Sequence, residues 1–166
     1  MGTKEKVGKI IKKAARILPG IGSYQDKESI RESDKNLRAQ ISAQLTSSMG
    51  ALERIKTDIA RKGSLSSLKD LDDLTRHMDK LSRAIRFASR GYTGVFDSKG
   101  VDETALSKLF EFDRSLHTEI GLVEPLVSKI SEKEIGPEPA VLQELGDLLV
   151  KIEKMTNERE GLLKRL

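Results

Sequence analysis

Cysteine and tryptophan are both missing from this 166-residue chain, and its aromatics amount to two Tyr and four Phe. Without cysteine there is no disulfide, no thiolate metal ligand and no thiol nucleophile, which excludes disulfide-stapled secreted folds and points to a reducing compartment. Aromatic residues at 4% argue against a β-sandwich core or a carbohydrate-binding platform. No apolar run approaches the roughly 18 residues of a membrane span, and lysines stand where an export signal needs an uninterrupted apolar stretch. Only two His are present. The expected setting is the cytoplasm, including the inner face of the membrane as a place of peripheral attachment.

What the chain does have is charge and helical periodicity. Charged residues make up 34% of it, and the length suits one domain with a real core. From residue 26 to about residue 61 the apolar positions Ile30, Leu37, Ile41, Leu45, Met49, Leu52, Ile55 and Ile59 recur at threes, fours and sevens, the signature of one long amphipathic helix. The same spacing predicts helices at about 67–90, 102–131 and 139–165, with Pro125 as the expected kink in the third. The expected fold is all-α: an antiparallel up-down four-helix bundle over 26–166, with an additional short amphipathic helix at 1–18 and a hinge at 19–25 around Pro19 and Gly20.

That first segment, TKEKVGKIIKKAARIL over residues 3–18, has six basic residues against Glu5. Its excess of five positive charges exceeds the +4 of the whole chain, so the remainder is slightly acidic. On a helical wheel Val7, Ile10, Ile11, Ala14, Ala15, Ile17 and Leu18 form an aliphatic face opposite Lys6, Lys9, Lys12, Lys13 and Arg16. Such a helix can lie among anionic headgroups, each surface lysine contributing about 1 kcal/mol. The same face would equally pack on the bundle as a fifth helix, or fill the groove of a protein partner. Nucleic acid is disfavoured, because no aromatics interleave the charges and no reader motif accompanies them.

Enzymatic constellations are missing from the pattern. Residues 2–9 have five positions between the glycines where a phosphate loop needs four, and Lys99 and Val101 stand where a calcium loop needs oxygen ligands. Each histidine has an Asp four residues earlier, Asp73 with His77 and Asp113 with His117, which places each pair on one helix face. If the second and third helices lie side by side, both pairs fall at similar heights and could form a two-His, two-carboxylate metal site. Ordinary boundary hydrogen bonds explain the pairs more simply, so neither a cofactor nor an enzyme is expected.

Two segments depart from generic bundle sequence. One, residues 20–38, carries Tyr24 within a dense alternation of charge; the other, residues 91–113, opens on GYTGVFD with Tyr92, Phe96 and Asp97. An up-down bundle brings both to one end, where they would either plug the bundle or dock a protein partner. The run Gly91, Tyr92, Gly94, Phe96, Asp97, with Tyr24, Asp26, Lys27 and Glu28 upstream, resembles a prokaryotic all-helical family of uncharacterised activity that shares the Gly-Tyr-x-Gly-x-Phe-Asp loop. The resemblance spans residues 20 to about 113 and implies no activity. The functional expectation is a non-enzymatic helical scaffold that meets an anionic membrane through residues 3–18 and docks a protein. The alternative is a self-associating or partner-binding bundle with no membrane role.

Overall fold

A computed structural model describes residues 27–63, 65–87, 103–131 and 137–163. Five α-helices account for nearly all of them: α1 (Lys27–Arg61), α2 (Leu68–Phe87), α3 (Glu103–Ile120), α4 (Val123–Ser131) and α5 (Pro139–Leu163). A single 3₁₀ turn, Leu65–Ser67, leads into α2. No strand occurs among the described residues. At 1.5 Å per residue α1 is about 52 Å long, far longer than its neighbours.

Local chemistry explains the helix ends. At the close of α1, Lys62 donates to the Asp58 carbonyl and Gly63 to that of Ala60, with Gly63 at φ 75°, a left-handed conformation that a side chain would oppose. At the start of α5, the Glu138 carbonyl accepts from Val141 and Leu142, and Pro139 takes the first helical position, where its missing donor costs nothing. The expected third helix is two. Pro125 is not the kink itself: it sits in the first turn of α4, and the break falls four residues earlier at Gly121 and Leu122. The proline ring would meet the carbonyl of residue 121, so the ladder is interrupted there and α4 restarts at Val123.

Side-chain pairs fix the relative directions. Ser42 meets Ser82 and Lys56 meets Asp72, so α1 and α2 run antiparallel. Asp113 meets Arg159 and Glu119 meets Lys151, so α3 and α5 do too. Leu74 lies against Gly146 and His77 against Glu153, and these numbers rise together: α2 and α5 are parallel neighbours. Helix α1 packs on α2, α2 on α5, α5 on α3 and α4, and those two back on α1, which closes a ring of helices around one core. Helices α2 and α3, consecutive in sequence, share no substantial contact.

The core is the sum of the predicted stripes. Leu45, Leu52, Leu71, Met78, Leu145, Leu149 and Ile152 are fully enclosed, with Leu116, Ile120, Val127 and Ile130 from the split helix beside them. Burying each large aliphatic chain contributes about 1.5–3 kcal/mol, which makes this interior the main source of stability. Met49, Ile55, Leu68 and Met155 line its margins, half-buried.

Candidate functional site

Polar side chains enter the interior in two layers. The milder one joins α1 to α2: Ser42 Oγ and Ser82 Oγ are 2.9 Å apart, Ser82 also donates to the Ser42 carbonyl at 3.3 Å, and Thr46 Oγ1 stands 3.3 Å from Ser82 Oγ. Small hydroxyl residues let these two backbones approach closely while each buried oxygen finds a partner.

The second layer is ionic. Arg159 of α5 is 5% exposed, Asp34 of α1 2% and Asp113 of α3 0%. Arg159 donates from Nε to Asp113 Oδ1 at 2.6 Å and from Nη2 to Asp113 Oδ2 at 2.9 Å, a two-pronged pairing that matches the planar fork to the carboxylate. Its remaining terminal nitrogen, Nη1, donates to Asp34 Oδ1. The other Asp34 oxygen accepts from Arg38, one turn along α1, at 2.7 Å. Two carboxylates and two guanidinium groups thus balance in charge while tying three helices together. His117, 3% exposed, is buried one turn along α3 from Asp113.

The sequence carried a signal for this layer that goes beyond the Asp–His spacing. Asp34 falls seven residues before Ile41, Asp113 lies between Leu109 and Leu116, and Arg159 comes seven after Ile152. Each charge therefore occupies a stripe position where an apolar residue belongs, on three separate helices. A charge on one stripe is an anomaly; charges of opposite sign on three stripes become candidates to pair once the helix order is known.

The outer histidine is arranged differently from its expected pairing. His77 Nε2 donates to Glu153 Oε2 of α5 at 3.1 Å, with Lys80 Nζ 3.7 Å from the other Glu153 oxygen. Asp73, the expected partner, accepts from Arg76 instead, because the longer arginine reaches it within the same helix at the surface. His77 borders an open cleft of about 370 Å³ between α2 and the start of α5, lined by Asp70, Asp73, Leu74, Pro139, Leu142 and Gln143.

The metal arrangement that the sequence allowed is corrected by the helix order. It required α2 and α3 to be neighbours, and they are not. Both Asp113 oxygens serve Arg159, and His77 faces Glu153. Among the described residues no cluster of three or more His, Asp or Glu is placed to hold a metal ion.

Several charges on the remaining described surface are paired locally. Lys56 Nζ bridges Glu53 at 3.1 Å and Asp72 at 2.8 Å. The hydrogen bond to Asp72 raises the Lys56 ammonium above its ordinary pKa, and the same bond lowers that of Asp72. Two large apolar side chains stand out in solvent: Phe87, 73% exposed at the end of α2 with the Arg86 guanidinium 5.6 Å from its ring, and Val150, 51% exposed on α5. No described helix is long and apolar enough to cross a membrane.

Residues 3–18, Tyr24, Tyr92, Phe96 and Asp97 lie outside the described residues. No protein-family model, no curated protein and no solved structure matches this chain.

Proposed function

We propose that the chain is a non-enzymatic helical scaffold: an up-and-down four-helix bundle with an additional N-terminal amphipathic helix that associates reversibly with an anionic membrane surface and docks a protein partner. The observation that carries this is the division of charge. Residues 3–18 hold an excess of five positive charges over a remainder that is slightly negative, and the described part of that remainder pairs several of its charges across and along helices. A basic amphipathic segment on such a body is drawn to anionic headgroups, each lysine near the surface contributing about 1 kcal/mol. Attachment then rests on Lys6, Lys9, Lys12, Lys13 and Arg16 for charge and on Val7, Ile10, Ile11, Ala14, Ile17 and Leu18 for burial in the interface.

Partner docking is assigned to Tyr24, Tyr92, Phe96 and Asp97. Phe87, exposed five residues before Tyr92, supports an apolar contact at that end. The same exposed ring favours a second reading, in which the bundle self-associates and the N-terminal helix packs on it. In either case the site of action is the cytoplasm or its membrane face.

Co-sedimentation with vesicles separates the readings. Vesicles of phosphatidylcholine with one third phosphatidylserine should retain the full chain, while vesicles of phosphatidylcholine alone should not. The variant Lys9→Glu/Lys12→Glu/Lys13→Glu should lose retention with an unchanged helical circular dichroism spectrum. Equal sedimentation of both proteins, or indifference to phosphatidylserine, would remove the membrane role. A larger mass by light scattering that Phe87→Ser abolishes would establish the second reading.

A further inference from the structure

Register places the first turns of α1 beyond the described end of α2. Ser42 stands opposite Ser82 in the antiparallel pair, and α2 is described for five residues past that point, to Phe87. The same distance along α1 reaches Leu37. Residues 27–36, about 15 Å of helix, therefore lie past Phe87 in the register of this pair.

Those residues, KESIRESDKN, contain Ile30 as their one apolar member. Hydrophobic burial drives most helix docking, and one isoleucine in ten residues supplies little of it. Yet Ser33 and Asp34 are 7% and 2% exposed. What holds Asp34 inward is Arg159, itself fastened to α3 through both oxygens of Asp113. Arg38 grips Asp34 only from within α1 and links it to nothing else through that bond. Just above, the attachment changes character: Leu37, Ile41 and Leu45 are 3%, 1% and 0% exposed in the apolar core.

We infer that Asp34, Arg159 and Asp113 form a charge latch that docks the first turns of α1 onto α3 and α5, and that these turns open as a unit, without unfolding the core above Leu37, when the Asp34 charge is removed. The pairing is strong because it is desolvated: an arginine held by three charge-assisted bonds in the interior is screened little by salt. Neutralising Asp34 leaves both Arg159–Asp113 bonds in place and takes the charge out of the bond that joins Arg159 to α1.

Hydrogen exchange of the full-length protein, resolved to single helices, tests this. In Asp34→Asn, the amides of residues 31–38 should exchange faster by on the order of ten- to a hundredfold, the range expected for losing a charge-assisted hydrogen bond. Amides of residues 45–59, and those of α3 and α5 on either side of Asp113 and Arg159, should keep their wild-type rates. Arg38→Gln, which spares the bond to Arg159, should accelerate residues 31–38 less than Asp34→Asn does. The inference is overturned if acceleration spreads evenly along α1, if residues 31–38 exchange as fast in the wild type as in the variant, or if Arg38→Gln reproduces the full effect.

Discussion

Arg159 grips Asp113 with two parallel bonds, Nε to Oδ1 and Nη2 to Oδ2, from a position on α5 where the spacing of Leu145, Leu149 and Ile152 calls for an apolar residue. Two charges inside a helical core face a heavy desolvation cost, and the fork geometry offsets it only while every member is present. The arrangement is therefore a poorer source of net stability than well-packed apolar side chains of similar size would be.

Stability should follow that logic. Arg159→Met leaves Asp34 and Asp113 buried without the cation they share, and urea denaturation should report a loss of about 3–5 kcal/mol. Arg159→Lys keeps the charge but not the planar fork, and should fall between the two. Replacing all three together, with Asp34→Leu, Asp113→Leu and Arg159→Met, should recover most of the loss. An Arg159→Met protein as stable as the wild type would show that the layer contributes nothing to holding the helices.

Position 146 offers a gain in stability. A Cβ added to Gly146 would meet Leu74 Cδ2 at 3.7 Å, ordinary contact distance, so Gly146→Ala fits without displacing its neighbour. Alanine is the better helix former by up to about 1 kcal/mol, and the thermal midpoint should rise accordingly. Gly146→Leu should do the opposite, since extra volume at the α2–α5 contact overpacks it at a cost of about 1–3 kcal/mol. A lower midpoint for Gly146→Ala would mean that the two helices need closer approach than this contact implies.

The Lys56–Asp72 bridge should contribute over a bounded pH range. Asp72 is held below its ordinary 3.8, so its share is complete above that value and fades as pH falls through the lowered one. Lys56 is held above its ordinary 10.5, so its share is complete below that value and fades as pH rises through the raised one. Lys56→Met should therefore lower the melting temperature slightly at neutral pH, and the difference should vanish in strong acid. Because Asp72 is half exposed, 1 M salt should shrink the difference at neutral pH as well. A difference that persists undiminished in strong acid would assign it to lost packing of the lysine stem.

Much of the fold was legible because helices announce themselves one at a time. The stripes of α1 and α5, and the stops at Gly63 and at Pro137–Pro139, depend on residues a few positions apart, and the described helices begin and end within a few residues of where periodicity places them. Pro125 shows the limit of that reading: the proline marks the fault correctly, but its steric effect acts one turn upstream, at Gly121. Which helix stands beside which is not a local property. His77 is spaced to face Asp73 four residues away, yet it faces Glu153, 76 residues along the chain, because α5 and not α3 packs beside α2. The ionic layer was visible only as three misplaced charges, and joining them required knowing the helix order.

That helix order gives a plain connecting length the force of an instruction. Neighbouring helix axes stand about 8–10 Å apart, so two helices on opposite corners of a ring are roughly 14 Å apart. A chain covers at most about 3.5 Å per residue, and a two- or three-residue turn cannot make that crossing. Residues 88–102 join α2 to α3, which are not neighbours. Trimmed to a tight turn, the same four stripes could still find apolar cover, but α3 would settle beside α2 and Asp113 would meet a different helix. The choice between two equally greasy assemblies is thus written partly in linker arithmetic.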